Sequence, residues 1–476
     1  MSRKIMIEPV TRIEGHAKVG VYLDDAGKVE KAVLHINEFR GFEKFCEGRL
    51  FFEMPLITER ICGICPVSHH LASVKACDQI VGIDPPRPAK LLRELMHMGQ
   101  IIQSHAMHFF ELAGPDLLLG FDADPAVRNV VGVYQSDPKL AAAGIKLRQF
   151  GQQIIAVLGE RRVHPNFAVP GGVRSPLNAQ ARDKIRADLP EMIGFMQTGI
   201  AVCKQWMDQH SNDVLRFGSF PTAYMGMVDG NDALQLYDGN LRLVDAQRKP
   251  MLKFSGDQYL DHICERVESW SYLKFPYYKA LGWPSGAYRV GPLARLNSST
   301  HIASPLAQAE YVKFHALGGN KVLEGTLCYH LARLIEGLYA LERAGQILDD
   351  AEILSTDIQI TGHVKNQQGV GVLEAPRGTL IHHYWVNENG QIEKVNLIVA
   401  TGHNNYAMTR AVDEVAKMYI DPAKVTEGAL NRIEAAIRAY DPCLSCSTHA
   451  VGSMPMVVSV YDAAGREIRT WKRDER

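Results

Sequence analysis

Two Cys-x-x-Cys pairs, Cys62-Gly63-Ile64-Cys65 and Cys443-Leu444-Ser445-Cys446, stand 381 positions apart in a chain of 476 residues. If they share one site, the fold must return its C-terminal end to its N-terminal region, and no other feature constrains the chain as much. The first pair lies just before a helical stretch that begins near Ser68, where unpaired backbone N–H groups and the helix dipole favour thiolates. The second follows a helix that must stop before Pro442, so its thiols project from a tight turn. Together they can make a four-sulfur site. Spacing alone favours structural zinc for such a site, and a lone Cys62-Gly63-Ile64-Cys65 also has the spacing of a thioredoxin-like redox pair. Against both readings, structural zinc usually staples a short local segment, and acidic and basic groups surround these pairs. A reactive centre fits better.

The remaining cysteines, Cys46, Cys77, Cys203, Cys264 and Cys328, are single, and an odd total of nine argues against a disulfide framework. They are expected to be buried core thiols. Lys plus Arg is 52 against 53 for Asp plus Glu, so no excess charge points to nucleic acid or an anionic membrane surface. With 46% hydrophobic residues the composition is that of a globular protein whose length allows two or three domains. The start of the chain moves straight into Ile7-Glu8-Pro9 without the apolar run of a secretory signal, and no apolar segment is long enough to span a bilayer. The expected location is cytoplasmic, unless a partner carries an export signal for both.

His16 to Ile36 reads as a hairpin turning at Asp24-Asp25-Ala26-Gly27. Helical spacing runs from about Ser68 to Leu119 and recurs around Leu140 to Leu158, Ala179 to His210 and Leu306 to Leu348. A second hairpin is expected at His382 to Val399. A helix with Leu430, Ile433, Ala436 and Ile437 on one face runs to Tyr440, and a last hairpin pairs Met456–Tyr461 with Arg466–Trp471.

Arg-x-Cys-Gly-x-Cys-x-x-x-His at Arg60 to His69, together with Asp-Pro-Cys-x-x-Cys-x-x-His at Asp441 to His449, resembles the two signature motifs of nickel-iron hydrogenase large subunits. Further pieces fall in that family's order: Arg12-Ile13-Glu14-Gly15-His16, Arg40-Gly41-Phe42-Glu43, His105-Ala106-Met107-His108-Phe109-Phe110 with Asp116, and Glu374-Ala375-Pro376-Arg377-Gly378 with His382. The resemblance covers essentially the whole chain. It implies an α+β fold with a central bundle of long helices, small peripheral antiparallel sheets, and a metal site deep at the interface with a small subunit.

It further implies that nickel is bound by Cys62, Cys65, Cys443 and Cys446. Iron, carrying carbon monoxide and two cyanides, shares Cys65 and Cys446, so Cys62 and Cys443 are terminal. Bridging thiolates hold two metals close together, and a terminal thiolate stays basic enough to take the proton of heterolytically split dihydrogen. By resemblance Glu14 carries that proton away, and Arg377 lies over the open metal position, held by Asp116 and Asp441. Thr401 hydrogen-bonds a cyanide, His69 a ligating sulfur, and Glu43 and His449 bind magnesium. Without the resemblance, Glu14 reads as an exposed partner of Arg12, Arg377 as a loop residue in a surface salt bridge, and Asp441 as a turn residue before proline. His70, with no role implied, reads as packing or surface.

The run Ile437 to Cys443 and the trio Ser68-His69-His70 resemble the cytoplasmic, cofactor-coupled branch; bidirectional NAD-reducing enzymes fit best, with deazaflavin-reducing ones close behind. Gly369-Val370-Gly371-Val372-Leu373-Glu374 has glutamate where a dinucleotide loop needs its third glycine, so NAD must be reduced on flavin-bearing diaphorase partners. Too few cysteines are left for an iron-sulfur relay, so electrons must leave through an iron-sulfur small subunit. Residues 1–449 are expected to form the catalytic domain. Residues 450–476 are expected to be a maturation extension that a protease removes after chaperones insert nickel, and a hairpin there that keeps Cys446 away from Cys62 and Cys65 would mark the immature form. The rivals are a quinone-site subunit of complex I, which shares the fold but lacks the four cysteines, a zinc-stapled structural protein, and a hydrogen-sensing relative, which usually lacks the tail.

Overall fold

Leu92, Leu95, Met96, Ile101 and Ile102 recur at helical spacing and are all buried along the helix Arg87–Ala106, which forms the axis of the molecule. In this computed structural model, which describes residues 4–38, 41–421, 423–448, 457–461 and 467–472, three further long helices pack around that axis. Pro138–Gly159 and Cys328–Leu348 lie against it, and Ala179–Gln209 packs on both. Asp137 and Asn178 start two of these helices, their side chains accepting from Leu140 N and Ala181 N. Among the described residues, no helix is long and apolar enough to cross a membrane.

The expected helical run from Ser68 to Leu119 is broken where the chain must turn. The helix Pro66–Val81 stops at Gly82 in a left-handed conformation (φ 63), and the next begins after Pro86. At Met107–Ala113 the long helix widens into a π-helical turn, a geometry often found at functional sites. The run Leu306 to Leu348 likewise divides, into Pro305–Leu317 and Cys328–Leu348. The helix predicted to end before Pro442 spans Glu427–Ala439, and Asp441 then takes a positive φ of 54°.

Small antiparallel sheets flank the bundle. Lys4–Ile7, Ala17–Leu23 and Val29–Ile36 form one, and Gln368–Ala375, Gly378–Val386 and Ile392–Ile398 form another. The latter packs on the helix Pro66–Val81. A Cβ on Gly371 would sit 1.8 Å from the carbonyl oxygen of Ala72, so the glycines of Gly369-Val370-Gly371 serve close contact between strand and helix. A four-stranded sheet of Tyr288–Arg289, Ala223–Val228, Asn240–Val244 and Pro250–Ser255 has no counterpart among the hairpins expected from the sequence. Val457–Tyr461 pairs with Glu467–Lys472 as the expected last hairpin; Met456 and Arg466 lie outside the described residues.

Candidate metal centre

Cys62 leaves the turn Glu59–Ile61 in extended conformation, and Cys65 caps the helix Pro66–Val81. Their backbone is already folded around a sulfur: Ile64 N and Cys65 N donate to Cys62 Sγ at 3.2 and 3.0 Å. Cys443 arrives extended after the Asp441 bend and caps the short helix Leu444–Ser447, which carries Cys446. Residue Glu14 docks this segment by a parallel bridge to Cys443, and Leu444 N donates to Glu14 O at 3.1 Å.

The result is four buried sulfurs all within 4.8 Å of one another, with Cys62 and Cys443 at 3.5 Å and Cys62 and Cys65 at 2.9 Å. Thiolates about 2.3 Å from a shared cation stand roughly 3.3–4.6 Å apart, so the set fits a soft metal with slight opening of the first pair. Cys446 is therefore in place beside Cys62 and Cys65, and the described tail hairpin does not hold it away. Hydrogen bonds from Cys443, Cys446 and Cys62, and from His69, hold Cys65 toward the thiolate, whereas burial pushes the Cys443 and Cys446 thiols up.

Arg377 is buried beside this cluster. Its Nε donates to Asp441 O at 2.5 Å and its Nη2 to Asp441 Oδ1 at 3.0 Å, while Nη1 is buried without a partner. Burial opposes its charge, but Asp441 and the sulfurs of Cys443, Cys65 and Cys62 more than offset this and raise its pKa. A fixed cation thus faces the thiolates. Beneath it Arg295 binds Glu336 through two nitrogens at 2.6 Å and Glu374 at 2.7 Å, and also donates to the carbonyls of Ala375 and Pro376, which lead into Arg377.

Asp116, expected to share in holding Arg377, does not. Its Oδ1 accepts from Arg12 at 2.5 Å and from Asn431 at 3.0 Å, and its Oδ2 accepts from Arg438. The π-helical turn accounts for the partner, since it leaves the Leu112 carbonyl able to accept from Arg12 at 2.8 Å and draws that side chain to Asp116. Burial works against the Asp116 charge, yet Arg438 and Arg12 win and lower its pKa below 3.8. Its stabilisation is therefore complete above that value and fades as pH falls through the depressed folded-state pKa. Asp116→Asn is expected to cost about 3–5 kcal/mol at neutral pH, because it leaves buried guanidinium charge unpaired. Urea unfolding at neutral pH checks this; a variant as stable as the parent would refute it.

Glu14 is half-buried and is not a partner of Arg12; its Oε2 accepts from Ser445 N at 3.1 Å. Ser445 Oγ donates to Glu38 Oε2 at 3.1 Å, and Glu38 Oε1 meets His16 Nδ1 at 2.5 Å on the surface. Thr401 Oγ1 accepts from Cys443 N at 3.0 Å, which leaves its own proton for another acceptor. Glu43 Oε1 accepts from Leu397 N at 2.8 Å. His449 and Arg40 lie outside the described residues. His70 is a packing residue, its two ring nitrogens bonded to Pro55 O and Ala168 N. Cys46, Cys77, Cys203 and Cys328 are buried, but Cys264 is half-exposed. Arg295, Glu336, Glu38 and Ser445 were not expected here; of these only Ser445, inside the second motif, carries a signal in the sequence. A cavity of about 220 Å³ beside Asp116, with Phe121, Trp206, Phe217 and Tyr419 among its lining, includes none of the four cysteines.

Four buried cysteine sulfurs brought together from the two ends of the chain, with a buried guanidinium beside them, define a site for a soft metal ion. The sequence pattern of the family described as nickel-dependent hydrogenase matches residues 40–135 and 233–449, and one described as HoxL-like matches residues 4–39. The chain is 44% identical to NAD-reducing hydrogenase HoxS subunit beta of Cupriavidus necator over 98% of this chain and 99% of the relative. It is 45% identical to a chain of the vhu F420-non-reducing hydrogenase of Methanocaldococcus jannaschii, over 87% of this chain and 99% of the relative. A solved NAD+-reducing [NiFe]-hydrogenase in the H2-reduced state superposes with a TM-score of 0.92 at 45% identity, over 94% of this chain and 99% of that one. The chain belongs to the nickel-dependent hydrogenases and is their large, catalytic subunit. That membership sets aside the zinc-staple and quinone-site readings, and the α+β architecture is the one the resemblance implied.

Proposed function

We propose that this chain carries out the dihydrogen half-reaction of a cytoplasmic NAD-reducing hydrogenase, in which dihydrogen yields two protons and two electrons. The electrons leave through an iron-sulfur small subunit to flavin-bearing diaphorase subunits. The convergence of four buried sulfurs within 4.8 Å carries the reading, and the Cupriavidus necator relative and the superposed structure, both NAD-reducing by name, support the acceptor. The Methanocaldococcus jannaschii relative is F420-non-reducing by name, which gives no support to the deazaflavin alternative. Gln368–Ala375 is a strand and not a phosphate-binding loop, in keeping with NAD being reduced elsewhere.

Cys62, Cys65, Cys443 and Cys446 would hold nickel, and Cys65 and Cys446 would share iron with its carbon monoxide and two cyanides. These metals, when bound, supply the Lewis acidity that polarises dihydrogen and the redox capacity that takes its electrons. Arg377 supplies a fixed positive charge beside the cysteine sulfurs, and Asp441 sets where that charge points. Thr401 has a hydroxyl proton to offer a cyanide. Glu14 takes the proton from a terminal thiolate and passes it outward past Ser445 and Glu38. Glu43 and His449 would bind magnesium. Residues 450–476 would be removed by a maturation protease after chaperones deliver nickel; the family match, which ends at residue 449, supports that boundary.

The test is elemental analysis of the chain with its partners, an infrared scan for carbon monoxide and cyanide bands, and a dihydrogen-dependent NAD reduction assay. Nickel, iron, those bands and NAD reduction are expected together; zinc alone without bands would refute the reading. Arg377→Lys is expected to retain both metals and lose roughly 10²-fold or more in kcat, since an ammonium cannot keep both Asp441 bonds and also face the site. Unchanged kcat in a metal-replete variant would contradict the role given to Arg377.

A further inference from the structure

Arg377 stands at the tip of a β-hairpin. The strands Gln368–Ala375 and Gly378–Val386 pair down to Ala375 and Gly378, so Pro376 and Arg377 are the two residues of the turn between them. That tip is held from below by Arg295, on the short helix Pro292–Ser298, which is wholly inaccessible to solvent. A guanidinium has five N–H donors in a rigid fork, and here five acceptors meet them. Nε and Nη2 reach the two oxygens of Glu336, and Nη1 reaches Glu374. The two donors left over go to consecutive carbonyls, from Nη1 to Ala375 O at 2.9 Å and from Nη2 to Pro376 O at 3.2 Å. These are the two carbonyls that immediately precede Arg377.

Both carboxylates are fixed in their turn. Glu336, on the helix Cys328–Leu348, meets His105 Nε2 at 3.0 Å, and Glu374 Oε1 accepts from Thr379 Oγ1 at 2.8 Å. Glu374 and Thr379 are paired across the hairpin just below the turn, so this bond ties the two strands together under the tip. On the side of Val290 and Gly291 the turn has no slack: a Cβ on Gly291 would sit 2.8 Å from Arg377 O, and one on Gly378 would sit 2.2 Å from Val290 Cγ2. Arg295, Glu336, Glu374 and Thr379 are all fully buried, and none of these bonds involves a cysteine. A buried cluster of charges is weak as a source of stability, because apolar side chains of similar volume serve as well. What it provides here is direction, and the group it directs is the turn that carries Arg377.

We propose that Arg295 is a positioning residue for Arg377, mounted on Glu336 and Glu374 and setting the height and rotation of the hairpin tip. Asp441 fixes the far end of the Arg377 side chain, and Arg295 fixes the backbone from which it springs. A lysine at 295 would keep the charge, but an ammonium with three donors on one atom cannot span two carboxylates and two carbonyls. The tip would then shift, and the Arg377 guanidinium would leave its place beside the sulfurs. The inference rests on the role given to Arg377 in the dihydrogen half-reaction.

The test is a double-mutant cycle on dihydrogen-dependent NAD reduction by the metal-loaded complex, with rates expressed per nickel and the infrared bands recorded alongside. Arg295→Lys is expected to keep nickel, iron and the bands, to leave the KM for NAD unchanged, and to lose about 10–10²-fold in kcat per nickel, the cost of misplacing a reacting group by about an ångström. In an Arg377→Lys background the same change is expected to alter kcat by less than about twofold, because the group that Arg295 positions is already gone. A merely structural role would give the same loss in both backgrounds. Thr379→Val, close in shape, removes only the tie to Glu374 and is expected to lose about two- to tenfold, again only where Arg377 is present. An undiminished kcat in metal-replete Arg295→Lys, or an equal loss in both backgrounds, would overturn the inference and leave the role of Arg377 standing. Should Arg295→Lys fail to fold or to load metal, Thr379→Val decides by the same two criteria. A parental rate in metal-replete Arg377→Lys would overturn the role of Arg377 and this inference together.

Discussion

Cys65→Ala is expected to abolish nickel and iron loading together and to bring dihydrogen oxidation to background, with little loss of fold stability. Cys65 is the N-cap of the helix Pro66–Val81 and touches Cys62 Sγ at 2.9 Å, so its removal takes one sulfur from nickel and, on the bridging assignment, one from iron as well. Three sulfurs leave an open, lopsided site, and metal binding falls with each lost ligand because the energy of closing the set is shared among all of them. Cys77→Ala provides the contrast. Cys77 is buried, and burial raises its thiol pKa well above the usual range, so it acts as a small apolar side chain. Its loss should cost on the order of 1 kcal/mol of stability and leave metal loading unchanged. Elemental analysis and thermal unfolding of the two variants separate these effects. Parental nickel in Cys65→Ala would contradict the four-cysteine site.

The four-cysteine site is legible in the sequence because its spacing is local: Cys62 and Cys65 are fixed by one turn into a helix, and Cys443 and Cys446 by one turn after Pro442. What no local pattern shows is how groups far apart in the chain choose partners. Asp116, expected beside Arg377, lies instead with Arg12 and Arg438, because a π-helical turn, invisible to a 3.6-residue periodicity, re-aims the backbone around Leu112. Arg295 and Glu336 sit in helices whose apolar spacing is ordinary, so a buried ion pair between them has no signature in either segment alone. His382 stands out in the sequence only as part of a motif, and its bond to His69 depends on a strand lying flat against a helix across Gly371.

For the fold, the long helices and the turn-marked hairpins are readable, with boundaries set by features the sequence displays, such as Asn178, Pro86 and Pro442. The four-stranded sheet is not. Ala223–Val228 is apolar with no polar alternation and its Tyr224 to Val228 are all buried, so its period gives no strand signal. Tyr288–Arg289 is only two residues long and pairs in parallel with a strand more than sixty positions earlier. As a strand Gln368–Ala375 is not legible either, since glycines chosen for close packing against Ala72 and Ala76 look the same in the sequence as glycines chosen for a phosphate.

Glu14→Gln is expected to keep both metals and the infrared bands yet to lose about 10²–10⁴-fold in dihydrogen oxidation, the range over which a positioned proton-transfer group contributes. Glutamine keeps the shape of the side chain, and its carbonyl oxygen can still accept from Ser445 N, so the docking of Glu14 on Cys443 should survive. Only the ability to carry a proton is removed. The decisive reading is isotope exchange between dihydrogen and heavy water: it requires the proton to leave the centre but no electron to reach a partner, so it should fall in parallel with oxidation. Glu38→Gln is expected to have a weaker effect, because Glu38 contacts His16, which is exposed, and water there can substitute for a lost carboxylate. If exchange in Glu14→Gln matched the parent while the metals were retained, protons would have to leave by another path, and Glu14 would be only the backbone partner of Cys443.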